Sequence, residues 1–338
     1  MFDKTAARAL AAALALLALL PAAQAACKYK RLGSIPLEWR GTAPILHGTI
    51  NGTPVDVLVD TGAAHNTISA TLADKLHLAL GHTDAGTFGV GGTSALYRTR
   101  IDQLTLGKFE WDRVPMRVLD KQAKDDLDVI IGADFLFQHD VEMTRDALTF
   151  YEPSDCADAS LAYWSPDASV LETTHPADDD KHVHVTVSVN GRPVTAMVDS
   201  GASHSLLDLP AARAIGFDPA HYQGPVGTVG GIGAHDVSEW LYRLDTLTIA
   251  GHDYRHVPMH VADLWGNLAQ DTHVADADAS NKGRPHMMLG GEFLKARHVL
   301  FAESQHRLYF TFTNGTDHDV SMDAAVRAAA AQASAASR

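Results

Sequence analysis

The chain has 338 residues and a formal net charge of −14, with 41 acidic against 27 basic side chains. That balance argues against nucleic acid or an anionic membrane surface as a partner, because either would need a basic face. The length suits two domains, each with its own core.

Lys4 and Arg8 precede an apolar run from Leu10 to Leu20 that ends at Pro21. The run is too short to span a bilayer comfortably, and Ala23-Gln24-Ala25 supplies the small-residue pattern that a signal peptidase cuts. Residues 1–25 are therefore read as a signal peptide, which implies export to the periplasm or the medium. No later segment is apolar enough to span a membrane.

Two cysteines are present, Cys27 and Cys156. An oxidising compartment favours pairing them. Two other readings stand beside the disulfide. One is a pair of buried free thiols. The other is a lipoprotein acylated at Cys27, against which Gln24 occupies a position where such signals prefer Leu.

The rest of the chain is a tandem repeat. Val57-Leu58-Val59-Asp60-Thr61-Gly62-Ala63-Ala64-His65 recurs as Ala196-Met197-Val198-Asp199-Ser200-Gly201-Ala202-Ser203-His204, at an offset of 139. Asn51-Gly52 answers Asn190-Gly191, and Val90-Gly91-Gly92 answers Val229-Gly230-Gly231. The offset grows to 143 at Val257-Pro258-Met259 and to 158 at Met287, which places an insertion of 15 residues between Val261 and Met287.

Each repeat opens on alternating apolar residues around an Asn-Gly turn signal, which reads as a hairpin. Short helical stretches follow at 69–76 and 209–215, and Gly-rich turns between short strands make up the remainder. Each copy is thus predicted to be an all-β lobe. The organisation read from the chain is a first lobe at 26–155, a solvated linker at 156–180, a second lobe at 181–318 and an Ala-rich tail at 319–338.

A carboxylate placed directly after an apolar strand, then followed by a hydroxyl residue and Gly, is presented rigidly. The apolar strand fixes the loop, and Gly62 or Gly201 allows a close approach that a Cβ would prevent. The hydroxyls of Thr61 and Ser200 are placed to bond across to the opposing copy. Asp60-Thr61-Gly62-Ala63 and Asp199-Ser200-Gly201-Ala202 resemble the active-site loops of retropepsin-like aspartic peptidases. Ile130-Ile131-Gly132 and Met288-Leu289-Gly290 resemble that family's apolar-apolar-Gly segment. Its glycine-rich flap is resembled by the stretches holding Gly89, Gly91 and Gly92, and Gly230, Gly231 and Gly233.

The resemblance implies an all-β, bilobal, pseudo-twofold fold, as in pepsin-like enzymes that fuse two halves. It implies an endopeptidase with Asp60 and Asp199 as catalytic dyad, a peptide or protein substrate, and activity as a monomer. The two carboxyls would share one proton, one acting as base toward water and the other as acid toward the scissile carbonyl. No metal or cofactor is required by that chemistry. The competing reading is a noncatalytic peptide-binding module on the same fold, weakened by both Asp residues being intact.

His65 and His204 stand five residues after each Asp and are candidates for substrate contact, or for plain local hydrogen bonding. His182 and His184 fall on one face of a strand without an evident third ligand, and are read as solvated.

Overall fold

The computed structural model describes residues 27–119, 128–177, 180–222, 224–233, 235–271 and 283–312. The expected signal peptide and the whole of the expected tail lie outside them, as do residues 313–318 of the expected second lobe and part of its insertion. Among the described residues, no helix is long and apolar enough to cross a membrane.

The first copy contains β1 (Lys28–Pro36), β2 (Glu38–Arg40), β3 (Ala43–Ile50), β4 (Thr53–Val59), β5 (Thr67–Ser69), α1 (Ala70–Lys75), β6 (Gly81–Gly89), β7 (Gly92–Leu106), β8 (Phe109–Leu119), β9 (Val129–Ile131), α2 (Ala133–Leu136), β10 (Asp140–Met143) and β11 (Ala147–Ser154). The second contains β12 (Ser169–Thr174), β13 (His184–Val189), β14 (Arg192–Val198), β15 (Leu206–Asp208), α3 (Leu209–Ala214), β16 (Gly227–Val229), β17 (Val237–Ile249), β18 (His252–Ala262), α4 (Gly266–Asp271), β19 (Met287–Leu289), α5 (Gly291–Lys295), β20 (Arg297–Ala302) and β21 (Arg307–Phe312).

The two lobes repeat one topology. In the first, the order is β3-β4-β9-β5-β8-β7-β6, with β3 returning to pair with β7. In the second it is β13-β14-β19-β15-β18-β17-β16, with β13 returning to β17. The opening hairpins have matching turns, with φ at 50° and 81° for Asn51-Gly52 and at 48° and 78° for Asn190-Gly191. Two successive positive φ angles make the turn that fits the twist of a two-residue hairpin. Alternate residues then point inward, so Val57, Val59, Val187, Val189 and Val198 are all buried.

A shared sheet joins the lobes. Its order is β1-β11-β10-β20-β21-β12, and it runs on from β12 into β13 of the second lobe. At its centre β10 pairs antiparallel with β20, Glu142 facing Leu300. The outer strands correspond as well, because β1 flanks the β10–β11 hairpin as β12 flanks the β20–β21 hairpin.

This corrects the reading of residues 156–180 as a solvated linker. Within that stretch β12 is a full member of the shared sheet, and Leu161 and Ala162 pack with Leu300 and Tyr309 in a small core of their own. Composition misled here because Pro166-Asp167 and Pro176 with the acidic run flank a strand that is itself held by backbone pairing.

Cys27 and Cys156 form a disulfide that spans 129 residues and pins the start of β1 beside the end of β11. The free-thiol reading is thereby overturned. A sulfur committed to that bond is also closed to thioether acylation.

Candidate active site

Each Asp loop is suspended from its own sheet. The Asp60 N–H donates to the Ile131 carbonyl at 3.0 Å, and the Asp199 N–H donates to the Leu289 carbonyl at 2.9 Å. Beyond the loops, the Ala133 and Gly291 N–H groups donate to the Ala63 and Ala202 carbonyls, both at 2.7 Å. Gly132 and Gly290 donate to the side chains of Asn66 and Ser205, both at 3.0 Å. A Cβ on either glycine would run into the backbone of His65 or His204, so their role is close packing.

The loops are tied to each other through their hydroxyls. Thr61 Oγ1 donates to the Val198 carbonyl at 2.7 Å, and Ser200 Oγ donates to the Val59 carbonyl at 2.6 Å. Both side chains are buried, so these bonds form out of competition with water. The effect is to bring Asp60 and Asp199 face to face. A Cβ on Gly62 would overlap the Asp199 carboxylate, and one on Gly201 would overlap that of Asp60.

Electrostatics separates the two carboxyls. Burial, then the charge of Asp199, raises the Asp60 pKa well above the usual carboxylate range. Burial raises Asp199 as well, but hydrogen bonds from the Ala202 and Gly201 N–H groups to its Oδ1, at 3.1 and 2.9 Å, work against that rise. Asp60 Oδ1 accepts from the Gly62 N–H at 2.9 Å, and backbone hydrogen bonding from Gly62 and Ala63 likewise opposes its rise. Two buried carboxyls this close cannot readily both be ionised, so the pair favours keeping a proton into a range where isolated carboxyls would both be ionised.

Both lobes also contribute a glycine-rich hairpin. The β6–β7 tip carries Gly89, Gly91 and Gly92, and the segment joining β16 to β17 carries Gly230, Gly231 and Gly233. The tips meet in a bridge between Gly91 and Gly233, and the His235 N–H donates to the Gly91 carbonyl at 3.0 Å. A Cβ on Gly233 would collide with the Gly91 backbone, which is why glycines stand where the tips touch.

The two symmetric histidines have different surroundings. His65 Nδ1 lies 3.0 Å from Asp134 Oδ2 in an exposed pair. His204 Nε2 lies 2.5 Å from Oε1 of Glu239, a buried carboxylate. Burial alone would raise the Glu239 pKa, but the His204 and His260 imidazoles beside it outweigh burial and bring the value down to about 2.

Of the other histidines, His182 Nε2 reaches the Gly62 carbonyl at 3.1 Å, so the start of the second lobe rests on the first Asp loop. His184 corrects the reading of solvated imidazoles. It is buried in the position that Ile45 takes in the first lobe, the pairs being His184 with Met197 and Ile45 with Leu58. Burial, with His182 and His175 nearby, pushes its pKa down to about 4.

Sequence reasoning also missed the base of the insertion. Trp265 is buried beside Val90 and Val237, and its indole N–H donates to the Pro285 carbonyl at 2.9 Å. Arg284 stacks over Phe88 of the first flap, 4.1 Å from the ring centroid. The insertion thus packs against the opposite lobe's flap, a tertiary contact with no signal in local composition.

A family profile described as aspartyl protease matches residues 46–135 and 185–293, one stretch in each lobe. Among solved structures, the aspartic proteinase from Irpex lacteus is similar in fold, with a TM-score of 0.50 and 16% sequence identity over 84% of this chain and 98% of that one. Basic 7S globulin from soybean aligns with a TM-score of 0.43 and 14% identity, covering 82% of this chain and 95% of its own. No curated protein sequence matches the chain. With the profile matched in both lobes, and over more than half of its length, this chain belongs to the aspartyl protease family.

Proposed function

We propose that the protein is an exported aspartic endopeptidase, active as a single chain, that hydrolyses peptide bonds with Asp60 and Asp199. The observation that carries this reading is the pair of opposed, buried carboxyls, each on a loop tied to the other by the Thr61 and Ser200 bonds.

In this reading the ionised member of the Asp60–Asp199 pair takes a proton from water as the water attacks the scissile carbonyl. The protonated member donates a hydrogen bond to the carbonyl oxygen as negative charge develops there. An extended substrate strand lies under the two glycine hairpins, whose backbone groups are of the kind that pair with a peptide. Export to an oxidising compartment accords with the Cys27–Cys156 disulfide.

The test is separate assay of Asp60→Asn and Asp199→Asn against an unfolded protein substrate from acidic to neutral pH. Each variant should lose about 10²–10⁴-fold or more in turnover, the contribution general acid–base groups usually make. Cleavage retained by either variant overturns the dyad. Tight peptide binding by the wild type with no turnover at any pH would instead identify a peptide-binding module.

A further inference from the structure

In the second lobe, three side chains converge just behind the catalytic loop. His204 ends that loop, Glu239 lies on β17 below the flap, and His260 lies on β18. The two strand residues are held by backbone pairing: Glu239 sits opposite Ala262, His260 opposite Leu206, and the Glu239 carbonyl accepts from the Val226 N–H at 2.7 Å. One ligand-type atom from each lies within 4.8 Å of the other two, and among the described residues no other His, Cys, Asp and Glu side chains form such a group of three.

The first lobe supplies a comparison built into the same molecule. The strand registers that pair Glu239 with Ala262 and His260 with Leu206 pair Leu96 with Leu119 and Arg117 with Thr67. The corresponding trio is therefore His65, Leu96 and Arg117. Leu96 is buried at 7% exposure, and Glu239 replaces it at 6%. Packing at this position is met by leucine, whereas burying a carboxylate costs several kcal/mol unless partners compensate. The acid and the second imidazole occur together, in one lobe only.

The local geometry is short of a settled hydrogen-bond network. His260 Nδ1 is buried and stands 2.9 Å from Glu239 Oε1, yet out of alignment for a hydrogen bond. The same oxygen already meets His204 Nε2. Two imidazole nitrogens and a carboxylate oxygen are the donor set of a borderline divalent cation, with bonds of about 2.0–2.2 Å. Donors at those distances from one ion stand roughly 3.3 Å apart, so the two Glu239 contacts would lengthen by less than about 1 Å and the imidazoles, whose ring centroids lie 4.0 Å apart, would splay to face the ion. The side chains of His204 and His260 remain 29% and 18% exposed, which leaves one face open to a further ligand such as water.

We propose that His204, Glu239 and His260 form a binding site for a zinc-class divalent cation, absent from the first lobe, that fastens the base of the second flap to the catalytic loop. The ion replaces the His–Glu contacts by three coordinate bonds drawn from a loop and two strands.

The experiment uses the full chain without an affinity tag, at pH 7.5, titrated with zinc by calorimetry and with cobalt by visible absorption. One equivalent of zinc should bind and raise Tm, and cobalt should give the d–d bands of a four- or five-coordinate site. Glu239→Leu, which installs the first lobe's residue, and Glu239→Gln should weaken binding at least about 100-fold and abolish the cobalt bands. Asp60→Asn should leave both signals unchanged, which separates this site from the peptidase reading. Substoichiometric zinc in the wild type, or binding unaltered in both Glu239 variants, overturns the proposal.

Discussion

Thr61 and Ser200 trade hydrogen bonds across the lobe interface, each hydroxyl accepting from the other's backbone N–H at 3.0 Å. Each hydroxyl also donates onward to a carbonyl of the opposite strand, so four buried bonds rest on two small side chains. Ser200→Ala would orphan the Thr61 N–H and the Val59 carbonyl, at about 1–3 kcal/mol for each buried unsatisfied group. Thermal unfolding should show that loss, while Ser200→Thr, which restores the hydroxyl, should recover most of it.

The dyad itself should oppose stability. A carboxyl whose pKa is raised by folding contributes its full stability below its unfolded pKa, near 3.9, and loses it as pH rises through the folded value. Asp60→Asn removes that penalty. Its Tm should exceed the wild type's at pH 7, by about 2–4 °C for each kcal/mol relieved, and converge on it below about pH 4. Equal Tm differences at both pH values would contradict the assignment.

His184 should make the fold acid-sensitive in a separate window. Its folded pKa near 4 lies below the ordinary 6.5, so the unfolded chain takes up a proton that the folded one refuses. Stability present above pH 6.5 is therefore lost progressively down to about pH 4, by up to about 3 kcal/mol. His184→Ile, copying the first lobe's Ile45, should flatten that part of a stability-against-pH profile measured by urea unfolding.

Replacing both Cys27 and Cys156 by Ser should cost about 5 kcal/mol in the chain-entropy account of a 129-residue loop. The loss should appear as a lower urea midpoint. A variant as stable as the disulfide-bonded protein would show that pairing within the shared sheet suffices to hold β1.

What could be read from the sequence depended on whether side-chain identity or backbone pairing sets the structure. The Asp loops, Gly132, Gly290 and the hairpin turns repeat as residues because each position tolerates few alternatives: a Cβ at Gly62 or Gly201 would overlap a carboxylate. β1 and β12 occupy equivalent places, yet Lys28–Pro36 and Ser169–Thr174 share no pattern, since outer strands are held mainly through main-chain bonds. That is why 156–180 read as linker. Glu239 was hidden for another reason. A buried acid stands out only once the strand register shows that its counterpart is Leu96.

The β10–β20 pairing bears on how the chain assembles. Until β20 is made, Val141, Glu142 and Met143 form an open edge with unpaired backbone groups. The N-terminal half therefore emerges as an unfinished product, vulnerable to pairing with another copy of itself, and must wait for nearly the whole of the second half before that edge is closed. With both halves in one chain the closing strand comes from the same molecule, at the cost of an interval during synthesis in which the first half has to be kept from pairing with the wrong edge.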